Sequence, residues 1–304
     1  MDGHETSAAG SVRKRPALFR ALGNSEPPAR IEVDGCTYTL DTVLKHDSWA
    51  ATSIYTRNGR SIICKFNRRQ SLLGIPAGGI GRWLARREAS FLRRLGSLGQ
   101  VPPVLGPVSV EGRVQKNACA REFIDGHPLG RYEEVNDEFF PSLHSLLAGM
   151  HAAGLAYVDL HKRENILVGD DGLPYLIDFQ VCAAIPEGLM RRMPWLRGLL
   201  APLFRMDRYH VAKHHQRLRP DQCGLTRSDV QKQRPLWVRV HRFFAEPLRT
   251  LRRGLLVRLG IRQGAGQAHS ELFPEDAIRR ELEPVGFEPR RAAPAMPAPW
   301  RRAA

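Results

Sequence analysis

Cysteine is scarce and unpatterned in this chain of 304 residues: Cys36, Cys64, Cys119, Cys182 and Cys223 are odd in number, and no two form a C-x-x-C pair. That spacing argues against a disulfide framework and against a zinc site, and it suits a reducing cytoplasm. Long uncharged apolar runs are also missing, since no window of about 18 residues is free of charge, which argues against a membrane span. The N-terminus reaches Arg13-Lys14-Arg15 with no apolar core behind it, so it does not read as a secretion signal. No internal repeat is visible. Acidic residues are the under-supplied charge: 31 Asp and Glu against 46 Lys and Arg leave a formal charge of +15. Such a surface attracts phosphate, whether on a nucleotide, a nucleic acid or the anionic face of a membrane. No nucleic-acid-binding module accompanies the charge, and the aromatic residues are not interleaved as a base-stacking platform, so nucleic acid is not an expected partner.

What is present is enough apolar sequence for a sizeable core, 42% by composition. Residues 1–30 are polar and punctuated by Gly and Pro, and 263–304 close in an Ala/Pro/Arg-rich run, so both read as disordered tails. From Ile31 to Phe66 apolar residues alternate or run in short blocks, and Asn58-Gly59 between two blocks is a strong hairpin signal. The stretch from Gly81 to Leu95 places Trp83, Leu84, Phe91, Leu92 and Leu95 at helical spacing with charges between them. Further strands are expected at 104–110 and 118–124, the second ending at Asp125-Gly126, followed by a helix from Phe139 to His151. The order is a β-rich part with one helix (31–124), then a helical part (125–262).

The chemistry concentrates in residues 157–180, YVDLHKRENILVGDDGLPYLIDFQ. Asp159 follows an apolar run, Asn165 leads into Ile166-Leu167-Val168, a turn spans Gly169 to Gly172, and Tyr175-Leu176-Ile177 leads to Asp178. A loop, a strand, a turn and a second strand thus hold three oxygen-bearing side chains at one edge. Phosphoryl transfer needs such a set: a carboxylate to take a proton from the acceptor hydroxyl, and an amide oxygen plus a second carboxylate to hold Mg²⁺ against a triphosphate. Taken singly, each residue has a plainer reading. Asp159 suits a turn or cap, a strand Lys is ordinarily a solvated edge residue, and Glu88 lies on a charged helix face.

Order and spacing change that balance, and the segment resembles the catalytic and metal-binding loops of the protein-kinase-like superfamily, in the divergent form of bacterial lipopolysaccharide-core sugar (Kdo/heptose) kinases, with the Ser/Thr protein kinase branch beside it. The resemblance runs from about Tyr38 to about Arg219. It implies an α+β, two-lobed kinase-like fold and use of ATP and Mg²⁺. Lys65 in SIICKF would hold the α- and β-phosphates, and Glu88, 23 residues on, would be its ion-pair partner. The backbone of Glu122 and Ile124, in the lobe-connecting run, would meet adenine. Asp159 would be the base, and Asn165 and Asp178 the metal ligands.

This sequence departs from the pattern in four places. Five residues, Leu160 to Glu164, separate Asp159 from Asn165 where four are usual, so the loop should bulge. Tyr157-Val158 replaces His-Arg, which removes the partner of an activation-loop phosphate and the switch it would serve. Gln180 stands for the Gly after Asp-Phe and favours a fixed loop. HDSWAATS, 46–53, replaces the Gly-rich loop, where small Ala50, Ala51 and Ser53 still admit a phosphate close to the backbone. Lys162 and Arg163 either neutralise the transferred phosphoryl group or form a solvated basic loop. A basic amphipathic stretch at 236–262, with Val240, Phe244, Leu248, Leu251, Leu255 and Leu259 on one face, is either a core helix or a helix lying on anionic lipid.

The expected activity is ATP-dependent transfer of the γ-phosphoryl group to a hydroxyl of a lipopolysaccharide-core sugar or related glycolipid. A Ser/Thr protein kinase and a nucleotide-holding pseudokinase are the alternatives. The expected setting is the cytoplasm, with peripheral contact at the inner face of the membrane.

Overall fold

A computed structural model of the chain describes residues 16–71 and 76–235. Asn58 and Gly59 take up left-handed backbone (φ 47° and 77°), the conformation that a two-residue hairpin requires, and join β3 (Ala50–Arg57) to β4 (Arg60–Asn67). With β1 (Arg30–Val33), β2 (Cys36–His46), β5 (Ser109–Val110), β6 (Arg113–Val114) and β7 (Ala118–Glu122) they form an antiparallel seven-stranded sheet in the order β6-β5-β1-β2-β3-β4-β7. Two register shifts in β2, at Leu40/Thr42 and at Val43/Lys45, interrupt its pairing with β3. Such bulges bend a strand and increase its twist.

One face of the sheet packs Tyr55, Ile62, Cys64 and Phe66 against Ile31 and Tyr38. The other carries Ile54, Ile63 and Lys65 and receives α1 (Gly78–Leu95). The buried stripe of α1 is Gly81, Ala85, Glu88, Leu92 and Leu95, one face of a 3.6-residue period. Gly81 has to be Gly: a Cβ there would lie 2.1 Å from the backbone oxygen of Arg68, so the helix rests directly on the chain leaving β4. Trp83, expected on the apolar stripe, is 55% exposed, because the helix turns Gly81 rather than Trp83 toward the sheet. The guanidinium of Arg87 covers the Trp83 ring at 4.8 Å from its centroid.

The chain then forms β8 (Gly126–Pro128), α2 (Phe139–Ala152), β9 (Leu155–Ala156), β10 (Ile166–Gly169), β11 (Pro174–Leu176), β12 (Ala183–Ala184), α3 (Glu187–Arg192), α4 (Ala201–Leu218), α5 (Pro220–Cys223) and α6 (Arg227–Lys232). The main core joins Leu92 and Leu95 of α1 to Phe139, Leu143 and Met150 of α2 and to Tyr157 and Phe179 beside the site. Each fully buried side chain of this size contributes about 1.5–3 kcal/mol of transfer free energy.

Two expectations are revised. The N-terminal tail is shorter than 1–30: Ala17–Phe19 form a 3-10 turn, Ala21 is fully buried, and Arg20 bonds to Glu26 and His46. Leu22 packs with Ile31 and Tyr38 in the sheet core, a place that its polar neighbours concealed in the sequence. The strand expected at 104–110 is confined to Ser109–Val110, with Val104 in an isolated bridge to Arg121, because Pro103 and Pro107 interrupt the ladder. The stretch 236–262 and the tail 263–304 lie outside the described residues, as do residues 1–15. Among the described residues no helix is long and apolar enough to cross a membrane.

Candidate active site

Lys65 projects from β4 toward α1. Its Nζ lies 3.0 Å from Glu88 Oε1 and 3.1 Å from Asp178 Oδ1. Glu88 reaches it because it stands two helical turns after Gly81, on the same buried stripe. Burial alone would lower the Lys65 pKa, but the two carboxylates outweigh it and raise it, so the amine stays charged. Burial likewise opposes ionisation of Asp178, and the charges of Lys65, Lys162 and Lys45 overcome it, holding the carboxyl below the usual carboxylate range. Glu88 Oε2 is buried and has no hydrogen-bond partner among the described residues. Two further side chains of α1 hold its position: Arg87 donates to the Cys182 carbonyl, and Arg94 donates to the carbonyls of Ile185, at 2.9 Å, and Ala153.

Asp159 is 5% exposed. Lys162 Nζ lies 2.7 Å from its Oδ2, Asn165 Nδ2 donates to the same oxygen at 3.0 Å, and His161 Nδ1 stands 3.2 Å from Oδ1. The additional residue in this loop is absorbed by two successive tight turns, with Lys162 N donating to Asp159 O at 3.1 Å and Asn165 N to Lys162 O at 3.3 Å. The expected bulge is therefore a stepped pair of turns that brings Asn165 back beneath Asp159. Asn165 in turn accepts on its backbone oxygen from Ile177 N at 3.1 Å, which ties it to the strand leading to Asp178.

The backbone of this region departs from ordinary conformation at two non-glycine residues, Val158 (φ 71°) and Asp178 (φ 63°). For a β-branched Val that is a strained position, maintained only when its surroundings over-determine it. The anchor is Asp207, fully buried on α4. Its Oδ2 accepts from Tyr157 N and its Oδ1 from Val158 N, both at 2.8 Å, while His151 Nε2 lies 3.1 Å from Oδ2. Tyr157 donates its hydroxyl to the Ile177 carbonyl and meets Phe179 edge-on at 5.4 Å, so it links the Asp159 loop to the Asp178 loop. Burial raises its pKa and keeps the phenol protonated as a donor. Gln180 Nε2 donates to Asn67 Oδ1 at 3.1 Å. Asn67 is itself buried in a reciprocal pair with Asn117, Nδ2 to backbone oxygen in both directions.

Other expected contacts fall differently. Ala51 and Ser53 are fully buried on the sheet face opposite Lys65, because alternation along β3 gives the Lys65 face to Ala50, Thr52 and Ile54. Any contact of Ala51 or Ser53 with a phosphate is thus limited to backbone. The Glu122 carbonyl accepts from Arg121 Nη1 at 3.0 Å, and its carboxylate pairs with Arg60 at 2.6 Å. Phe123 packs with Leu44, Ile54 and Ile63, and Ile124 with Leu167, Tyr175 and Ile177, so two successive residues face two different apolar clusters. Among the described residues no group of three His, Cys, Asp or Glu is placed to hold a metal ion. Asp207 and the Gln180–Asn67 bond were not anticipated. A lone Asp in a helix that begins 23 residues after Asp178 carries no local signal.

No protein-family model matches the chain, and no curated protein does. Among solved structures it is similar to the crystal structure of the Rio2 kinase from Chaetomium thermophilum, with 18% sequence identity and a TM-score of 0.45. That match covers 64% of this chain and 63% of the Rio2 kinase chain, so the chain spans under two thirds of that protein's length.

Proposed function

We propose that the chain is a protein-kinase-like phosphotransferase, with a β-rich lobe at 31–124 and a helical lobe from 125, that moves the γ-phosphoryl group of ATP to a hydroxyl. The observation that carries this reading is Lys65, whose ammonium is shared between Glu88 on α1 and Asp178 beyond β11 and so joins the parts on which a triphosphate would rest. The donor set fits Mg²⁺. One carboxylate, Asp178, and one amide oxygen, on an Asn165 whose Nδ2 is already committed to Asp159, suit a cation that keeps several waters and takes its other ligands from phosphates. Magnesium bound there would neutralise charge on the β- and γ-phosphates.

Lys65, positioned by Glu88, would hold the α- and β-phosphates. Asp159 would orient the acceptor hydroxyl and take its proton as the hydroxyl oxygen bonds to the γ-phosphorus; the bond to the β-bridging oxygen breaks and ADP leaves. Lys162, 2.7 Å from Asp159, would face the charge that develops on the transferred group. The apolar clusters around Phe123 and Ile124 would flank adenine.

The acceptor is read as a lipid-linked sugar, the lipopolysaccharide-core type being the first choice. The support is the surface after Asp178. In the turn Pro194–Leu200, Leu196 and Leu200 face the Phe204 cluster, while Trp195 and Leu199 are 64% and 66% exposed beside the exposed Arg192 and Arg197. Exposed Trp and Leu among arginines suit the boundary of an anionic bilayer.

The test is incubation of the purified chain with labelled ATP and Mg²⁺ and, separately, with lipid and protein extracts, alongside Asp159→Asn. Label should enter a lipid-extractable sugar, and Asp159→Asn should slow transfer about 10²- to 10⁴-fold with ATP affinity kept. Label in protein instead would select the Ser/Thr kinase reading. ATP binding with no transfer to either extract would select the pseudokinase.

A further inference from the structure

Residues directly opposite one another in antiparallel strands share a face. Thr52 of β3 lies opposite Lys65 of β4, Lys45 of β2 lies opposite Thr52, and Cys119 of β7 lies opposite Lys65, so Lys45, Thr52, Lys65 and Cys119 form one row across the sheet. Lys45 joins that row because of the register shift between Val43 and Lys45. Strict alternation from Val43, which faces Ser53, would send Leu44 toward the site and Lys45 away from it. The shift puts both on the site side: Leu44 packs with Ile54 and Ile63, and the Lys45 charge reaches the Asp178 carboxylate. Strands lie about 4.8 Å apart, so Lys45 and Lys65 stand roughly 10 Å apart at their backbones, with a hydroxyl between them.

The turn beyond Lys45 is closed to anions. Asp47 Oδ1 accepts from Trp49 N at 2.7 Å and from Ala50 N at 2.9 Å, so the amides that a glycine-rich loop would offer to phosphate are occupied. Asp47 also sets a carboxylate at that tip, and Lys45 Nζ neutralises it at 2.9 Å from Oδ2. The Lys45 side chain is still 40% exposed and on the face where Lys65 and Asp178 meet.

We infer that Lys45, with the Thr52 hydroxyl beside it, binds the phosphate chain of the nucleotide in place of glycine-loop amides. This rests on the kinase-like reading above. Phosphate binding passes here from the backbone to a side-chain cation, which the β2 shift turns onto the correct face. Lys45 leaves Asp47 for the phosphates when nucleotide arrives, and the Asp47 turn keeps its own two amide bonds.

Calorimetric titration of the full chain with ATP and with adenosine, for wild type, Lys45→Met, Lys45→Arg and Thr52→Val, tests this. Lys45→Met should weaken ATP at least tenfold and leave adenosine unchanged, Lys45→Arg should restore most of the ATP affinity, and Thr52→Val should weaken ATP by a few-fold. Melting temperatures of the variants check that each is folded. ATP binding by Lys45→Met equal to wild type overturns the inference and leaves the kinase-like reading standing. Equal loss for ATP and adenosine also overturns it, since the effect would then not be on phosphate. A wild type that binds neither compound overturns both readings.

Discussion

The two halves of the candidate site are built by different means. Lys65, Thr52 and Glu88 stand on regular elements, where a cross-strand register and a helical period decide what each side chain faces. Asp159, Asn165 and Asp178 stand on irregular backbone with Val158 and Asp178 in left-handed conformation, and what orients them is a set of bonds to distant parts of the chain: Asp207 to the amides of Tyr157 and Val158, Tyr157 to the Ile177 carbonyl, and Gln180 to Asn67. The first half follows from local rules. The second depends on anchors that are distant in sequence.

The largest test of that contrast is Asp207→Ala. Removing its carboxylate strands the buried amide of Tyr157 and the half-buried amide of Val158, at about 1–3 kcal/mol for each donor. Chemical denaturation should report a loss of about 2–6 kcal/mol on that scale, and any phosphoryl transfer should fall with it, while adenosine binding, which on the kinase-like reading draws on the Phe123 and Ile124 clusters, should persist in the molecules that remain folded. Loss of less than about 1 kcal/mol would mean that the loop holds its shape without its anchor.

The helix-borne half has its own weak point at Gly81. Gly81→Ala drives a Cβ to 2.1 Å from Arg68 O, so α1 must shift and carry Glu88 away from Lys65. A destabilisation of about 1–3 kcal/mol is expected from overpacking, together with weaker ATP binding. Gly79→Ala, two residues earlier with nothing within 4 Å of its added methyl, should stabilise by up to about 1 kcal/mol, and comparison of the two melting curves separates packing from helix propensity.

Acid should act on the loop-borne half first. His214 of α4 is 5% exposed and hydrogen-bonded through Nε2 to the Leu160 carbonyl, next to Asp159. Its pKa is pushed down to about 4 by burial and by the charges of Lys213, Arg163 and Arg217, against the partial opposition of the Leu160 bond. A folded-state pKa below the unfolded value of about 6.5 means that the unfolded chain binds the proton first. The stability this neutral histidine carries is therefore complete above about pH 6.5 and is lost as pH falls toward 4, amounting to about 2 kcal/mol at pH 5. Melting temperatures between pH 7 and 5 should fall for wild type and fall less for His214→Gln. Identical slopes would assign the acid sensitivity to other groups, such as His210, also held low by burial and by nearby cations.

The same division explains what was readable beforehand. Asp159, Asn165 and Asp178 stood out by their spacing, and the strand and helix carrying Lys65 and Glu88 followed from apolar periodicity and the Asn58-Gly59 turn. That turn also held unused information. A two-residue loop sets Arg57 opposite Arg60, which places Thr52, rather than Ala51 or Ser53, opposite Lys65. Lys45 was hidden for a physical reason, since a shift in register leaves no mark in the alternation of residue types, and Asp207 because an anchor is recognised only by what it anchors.

The bond from Gln180 to Asn67 bears on which small molecules the site can select. A compound that needs the segment after Asp178 turned over must first break that bond and leave Asn67 Oδ1 buried without its donor, a handicap of about 1–3 kcal/mol or roughly five- to 150-fold in affinity. A compound that accepts the segment as it stands incurs none. On the kinase-like reading one glutamine amide would therefore sort inhibitors by shape, and replacing it with glycine should narrow the gap between the two kinds.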